Sequence, residues 1–155
     1  MTEWFQCKVR YDKTVEDGQI KSTNEVYLVD ALSFTEAEKR FIEEITPQVS
    51  GDFVVTDIKR AKIAELYESN DSLADRWFKA RVAFLSIDDK TETEKRSRKT
   101  MMVQAIDLRD AVKNLDAHMK GTLDDYLIES IAETKIMDVY HYVVKDENPK
   151  ANAEE

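Results

Sequence analysis

The residues with the clearest chemical potential are two tryptophans, each followed by cations on one side of a strand-like segment. An aromatic ring can stack a nucleobase while lysine and arginine hold phosphates, a combination typical of single-strand binding. The structural alternative is that each indole packs against a second layer or another subunit, covered by the aliphatic parts of the cations. The residues are Trp4, Lys8 and Arg10 in the first segment, and Trp77, Lys79 and Arg81 in the second.

Two further groups of cations have the composition of phosphate-binding runs. Acidic residues precede or flank both groups, which favours a solvated, self-neutralising surface. The earlier group has no full counterpart at the matching positions of the second half, so it is the better candidate for a specific contact. The earlier group is Lys59, Arg60 and Lys62, and the later group is Lys95, Arg96, Arg98 and Lys99.

Signals of catalysis are weak in this sequence. Neither His118 nor His141 has a serine or cysteine beside it in an activating motif, and two histidines without ligand spacing argue against zinc. Cys7 alternates with apolar residues, which favours a buried, inert thiol over a nucleophile. With 3 glycines, spaced far apart, no phosphate-binding glycine loop can form. We therefore expect no catalytic residue, no metal and no cofactor.

The elements that position these residues are repeated along the chain. Three blocks recur in the same order at an offset of 73 or 74 residues, a spacing that indicates tandem structural units. The matching pairs are residues 4–11 with 77–84, residues 29–37 with 103–111, and residues 58–67 with 131–140.

Each copy predicts two strands, a helix and a third strand. Period-two alternation of apolar residues marks the first strands, and Ser33 and Asp107 carry N-cap signals before apolar helical stripes. The third strands, 53–67 and 126–144, are long and are expected to bend near 59–62 and 132–135. The fold class is α+β, with a mainly antiparallel sheet, helices on one face and a pseudo-two-fold axis.

The domain boundaries follow from this repeat. We expect a first β-β-α-β unit, a polar linker, a second unit and an acidic, disordered tail. Their ranges are 1–67, 68–75, 76–144 and 145–155.

Composition narrows the class of protein. The chain has 155 residues, a net charge of −9 and 1 cysteine, which excludes an internal disulfide framework. A secretory signal and a membrane-length apolar run are both lacking, so a cytoplasmic protein without membrane contact is expected. The negative charge disfavours nucleic acid as a partner, although a local basic face can still bind it.

Several segments resemble one bacterial family, domain of unknown function 4494 (DUF4494). They are residues 4–11, 27–38, 55–62, 119–122 and 136–140, so the resemblance covers nearly the whole chain. It implies a small bacterial or phage-borne protein, and it implies no activity and no catalytic residues.

Three functions stay open at this point. The first is a non-enzymatic protein-binding or assembly protein that meets a partner, or a second copy of itself, through its sheet face or edges. The second is a nucleic-acid accessory protein that uses exposed tryptophans and the cations named above. The third is an enzyme of unknown class.

Overall fold

The computed structural model describes residues 2–122 and 125–142, which form two units of the same order, β-β-α-β-β, because each predicted third strand is divided into two strands. The α+β class is as predicted, and the shared order is compatible with the predicted repeat. The predicted tail, 145–155, lies outside the described residues. The first unit comprises β1 (Glu3–Thr14), β2 (Ile20–Ala31), α1 (Phe34–Ile45), β3 (Phe53–Ala61) and β4 (Glu65–Tyr67). The second comprises β5 (Arg76–Ile87), β6 (Glu94–Ala105), α2 (Leu108–Met119), β7 (Asp125–Glu133) and β8 (Ile136–Tyr140).

Local signals explain where both helices begin. The Ser33 hydroxyl accepts a hydrogen bond from the Glu36 amide at 3.2 Å, and the Asp107 carboxylate accepts one from the Asp110 amide at 2.8 Å. These caps satisfy amides that the first turn of a helix leaves unpaired. Both caps are as predicted from the sequence.

Each helix covers one face of its own sheet. In the first unit Phe5, Cys7 and Val9 of β1 are fully buried beneath Phe41 and Ile45 of α1. The second unit repeats this arrangement. There the buried residues are Ala80, Val82, Met101, Val103, Leu115 and Met119. Phe34 and Leu108, the first residues of the two helices, are 43% and 49% exposed, so the buried stripes begin at Ala37 and Ala111.

The strands form two four-stranded sheets, and each unit contributes its last strand to the sheet of the other. The first sheet has the order β3-β1-β2-β8 and the second β4-β6-β5-β7. β8 pairs parallel with β2, and β4 pairs parallel with β6, whereas the other pairs are antiparallel. The predicted bends near 59–62 and 132–135 are therefore crossings from one sheet to the other.

The faces of the sheets that point away from the helices pack against each other. Leu28, Trp77 and Met102 are the buried centre of this contact, which both sheets supply. Of the two alternatives for Trp77, packing against a second layer therefore describes its environment, since Trp77 is only 2% exposed. Alternation along β5 shows which side Trp77 occupies, but it does not show that another sheet covers that side. The molecule is thus layered helix, sheet, sheet, helix.

Three outer strands carry an irregularity in their pairing. The register of β1 with β3 shifts between Lys8 and Val9, and that of β5 with β7 shifts between Arg81 and Val82. The register of β2 with β8 shifts between Val26 and Tyr27. Such bulges twist an edge away from pairing with another chain. Within the described ranges, no helix is long and apolar enough to cross a membrane.

Candidate functional site

A cleft of about 640 Å³ opens between the inner faces of the two sheets. Five lysines line it, and all five are exposed to solvent. We call it the lysine cleft and define it by Lys8, Lys59, Lys62, Lys79 and Lys135. The lining also contains aliphatic side chains and the neutral polar residues Gln6, Thr100 and Thr134.

The strand registers explain why three of these lysines converge. Lys59 of β3 lies opposite Gln6, which is two positions along β1 from Lys8 and therefore on the same face. Alternation places Lys8 on the same inner face, opposite the apolar Val26 of β2. From the other sheet, Lys79 lies between Met102 of β6 and Ala132 of β7.

The other two lysines come from the segments that cross between the sheets. Lys62 lies between β3 and β4, and Lys135 lies between β7 and β8. Thr134 anchors the second crossing, because its amide and its hydroxyl both donate to the Trp77 carbonyl at 2.9 Å. The Ala64 amide anchors the first crossing by donating to the Thr100 carbonyl at 2.8 Å. Backbone bonds thus hold both lysines at the cleft.

The cleft is strongly cationic in an acidic chain. Its lining contains no aspartate or glutamate in the part of the chain that the structure describes. Within that part, no carboxylate oxygen approaches the five ammonium groups within 4.0 Å. Asp57 lies opposite Lys8 in the register, yet it lines a separate, smaller cleft beside α1. Like charges that converge without counter-charges repel one another, and an anion relieves that repulsion.

Arg60, which belongs to the predicted group with Lys59 and Lys62, has a different role. Its Nε lies 3.3 Å from a Glu3 carboxylate oxygen, and its guanidinium lies 4.8 Å from the centre of the Phe34 ring. Although Arg60 contributes to the wall of the cleft, its charge is already engaged with Glu3 and Phe34. Within the predicted group, Arg60 therefore differs from Lys59 and Lys62 in having a carboxylate partner and an aromatic neighbour among the described residues.

The tryptophans and the remaining predicted cations on β1 and β5 lie outside the cleft lining. Trp77 belongs to the core between the sheets, and half-buried Trp4 packs against it and meets the His141 ring edge-on at 5.4 Å. Because Trp77 is buried, its indole cannot stack a base. Arg10 and Arg81 are exposed on the inner-face side of their strands, beyond the cleft lining.

Carboxylates of the second hairpin and of β7 neutralise most of the cations at residues 95–99. Glu129 accepts from Arg98 at 2.8 Å and from Arg96 at 3.2 Å, and Lys95 pairs with Asp88 at 3.2 Å. The hydrogen bond from Arg98 is the main cause that lowers the pKa of Glu129 below its ordinary value. Lys99 lies 5.5 Å from the centre of the Phe84 ring. These contacts favour the self-neutralising interpretation of the residues 95–99.

The residues with the greatest catalytic potential are separately engaged. Burial raises the pKa of the Cys7 thiol to about 12, with Asp57 and Glu38 adding to the effect. His118 stacks on Tyr67, and His141 contacts Glu68. Among the described residues, no three histidines, cysteines or carboxylates are placed to hold a metal ion.

Sequence reasoning missed Lys135 as a site residue, together with Gln6, Thr100 and Thr134. A signal was present for Lys135, because it aligns with Lys62 at the repeat offset of 73. Six pairs of positions matched by the repeat occur together in the lining, which indicates that both units build the cleft. The pairs are 6 with 79, 26 with 100, 28 with 102, 61 with 134, 62 with 135, and 63 with 136.

Comparison with known proteins adds one match. A family model described as "Domain of unknown function (DUF4494)" matches residues 3–142, which agrees with the resemblance found in the sequence. No curated protein and no solved structure matches the chain.

Proposed function

Since the chain belongs to the DUF4494 family, whose description assigns no activity, we propose from its own geometry that it is a non-enzymatic binding protein for a phosphate-bearing anion. The lysine cleft is the binding site. One observation carries the proposal: five lysines from both sheets and both crossings converge on about 640 Å³ without an acidic residue among the described lining. This happens in a chain whose net charge is −9.

Electrostatics supports a local site within an acidic protein. The Debye length at physiological ionic strength is about 8 Å, so charges inside one cleft still act on a shared ligand. The ammonium groups of lysine bind phosphate oxygens as compact point charges. The acidic remainder of the surface weakens long-range attraction, so the ligand gains most of its binding free energy inside the cleft.

The composition of the cleft favours binding over catalysis. Among its described lining residues there is no histidine, cysteine, serine or carboxylate, so its lysines and threonines have no neighbouring base to activate them as nucleophiles. The only cysteine is buried elsewhere. That single thiol also supports a reducing, cytoplasmic setting for the protein.

A titration with inorganic tripolyphosphate at low salt, measured by calorimetry, tests the proposal. We expect saturable binding that weakens as salt rises, because the ligand displaces counterions from the lysines. The variant Lys62→Gln/Lys135→Gln should bind at least about tenfold more weakly, since two charge-assisted contacts are lost. The matched control is Lys39→Gln/Lys113→Gln, which removes the same charge from exposed positions on the two helices. Equal loss in both double variants, or no binding by the parent protein, would contradict the proposal.

A protein partner bound at the sheet edges is the second candidate. The inner faces are occupied by each other, so a partner would meet the outer strands, which are β3 and β8 in one sheet and β4 and β7 in the other. Val54 and Leu127, matched by the repeat, are 53% and 42% exposed there, which favours an apolar contact. Light scattering across a concentration series tests self-association, which Val54→Lys/Leu127→Lys should abolish. A strict monomer at high concentration would argue against the homo-oligomer.

A further inference from the structure

We infer that the anion bound in the lysine cleft is a nucleoside polyphosphate: a compact ligand with consecutive phosphates and an uncharged body. This inference rests on the proposed function and specifies its ligand. It depends on two chemically different regions of the same cleft: the lysines, and the aliphatic and neutral polar residues beside them.

The size of the cleft fits a small molecule. Pockets for small ligands typically occupy about 300–1,000 Å³, and this cleft has about 640 Å³. A nucleic-acid strand needs a longer groove with aromatic platforms for successive bases. The described lining contains no aromatic residue, and the nearby Trp77 is 2% exposed. These features favour a nucleotide over a strand.

The lysines account for the polyphosphate. Cations reach the cleft from each sheet and each crossing, so they can surround several phosphate oxygens at once. Lys62 and Lys135 occupy repeat-matched positions in the two crossings. A ligand with two or more adjacent phosphates can contact both, whereas a monophosphate spans fewer of the five cations.

The rest of the lining accounts for the nucleoside. Val26, Ile63 and Ile136 are half-buried aliphatic residues in the cleft wall, with Leu28 and Met102 buried beneath them. An inorganic anion has no apolar surface to bury against this wall, whereas a base or a sugar has one.

Neutral polar groups complete the nucleoside region. The side chains of Gln6 and Thr100 are half-buried in the lining. Neither makes a side-chain hydrogen bond within the described residues. An amide and a hydroxyl can hydrogen-bond the edge of a base or the hydroxyls of a sugar.

A comparison of three probes tests this inference: inorganic tripolyphosphate, a nucleoside triphosphate and a ten-nucleotide single strand, all without divalent cations. We expect the nucleoside triphosphate to bind at least about tenfold tighter than tripolyphosphate, because the apolar wall adds contact area. The single strand should bind more weakly than the nucleoside triphosphate and compete with it.

The other outcomes distinguish failure of this inference from failure of the proposed function. Equal affinity for tripolyphosphate and the nucleoside triphosphate would overturn the inference and leave the proposed function intact. Tighter binding of the single strand would overturn it in favour of nucleic acid. No binding of any probe would overturn both.

The variant Val26→Thr gives a second measurement at nearly constant shape. Val26 is half-buried in the wall, and threonine keeps the β-branch that suits a strand. It should weaken nucleoside triphosphate binding roughly fivefold through the lost apolar contact, while tripolyphosphate binding stays unchanged. Parallel loss of both ligands would indicate a general change in the cleft and overturn the assignment of the wall.

Discussion

The ring of Tyr67, in the strand that leaves the first unit, stacks on the ring of His118 in the helix of the second, with centroids 4.1 Å apart and planes 5° from parallel. The opposite crossing is held in a similar way: Gln48, just after α1, donates to the Tyr140 hydroxyl at 2.7 Å. Each unit thus holds the last strand of the other through side chains as well as through the sheet. These contacts fix the crossings from which Lys62 and Lys135 reach the cleft.

A double-mutant cycle should detect the stack. We expect Tyr67→Leu and His118→Ala to show a coupling free energy of about 0.5–1 kcal/mol in denaturant unfolding, because stacked rings add to simple burial. The control pair is Tyr67→Leu with Lys113→Ala, a change on the exposed side of the same helix. Additive effects for the first pair would show that the stack contributes nothing.

Separation of the units should abolish folding of each. A cut between Asp71 and Ser72 leaves the first fragment without β8 and the second without β4, so one parallel edge of each sheet is lost. The surface around Leu28, Trp77 and Met102 also becomes exposed. We expect neither fragment to unfold cooperatively alone, and the mixture to recover native circular dichroism. Independent cooperative unfolding of either fragment would contradict this interdependence.

Much of this architecture could be predicted from the sequence because its signals are local. Ser33 and Asp107 lie next to the amides that they cap, and alternation around Cys7 shows which side of β1 is buried. The crossings could not be predicted, because the partners of β4 and β8 lie in the other unit. The burial of Trp77 depends on that crossing, and so does the convergence of Lys62 with Lys135.

Cys7 should resist modification in the folded protein. Burial raises its pKa from 9.0 to about 12, so the reactive thiolate is scarce and inaccessible at mildly alkaline pH. We expect an aromatic disulfide reagent to react with Cys7 only as fast as the protein unfolds, and the absorbance of the released thiolate measures this rate. Rapid reaction under native conditions would contradict this, with the urea-unfolded protein as the positive control.

The same shift predicts how stability depends on alkaline pH. The folded thiol keeps its proton up to about pH 12, whereas the unfolded thiol loses it above about 9.0. The unfolded state therefore binds fewer protons in this window, and stability falls as the pH rises from 9 towards 12. Cys7→Ala should reduce this fall, measured as the free energy of unfolding against pH. An unchanged slope would show that other groups, such as Tyr27, account for it.

Glu129 should restrain anion binding at the second hairpin. It engages both Arg96 and Arg98, so Glu129→Gln releases Arg98 and leaves Arg96 paired with Glu94 alone, while it changes little in shape. We expect this variant to gain weak, salt-sensitive affinity for a single-stranded oligonucleotide, measured by fluorescence anisotropy. Glu133→Gln, which affects only the Arg76 pair at 3.7 Å, is the control. No difference between the two variants would show that pairing does not suppress binding there.

The lysine cleft should also limit the stability of the protein without an anion. Five ammonium groups repel one another across the cleft, and the described residues offer them no carboxylate within 4.0 Å. We therefore expect Lys62→Gln/Lys135→Gln to raise the Tm of the free protein by a few degrees, about what 0.5–1 kcal/mol of relieved repulsion gives. Tripolyphosphate should raise the Tm of the parent protein and have a smaller effect on this variant. Lys39→Gln/Lys113→Gln should leave both values near those of the parent, because those lysines lie on separate helices. A lower Tm for the cleft variant would mean that Lys62 and Lys135 stabilise the fold by packing. Unrelieved charge repulsion would then no longer support the cleft as a ligand-binding site.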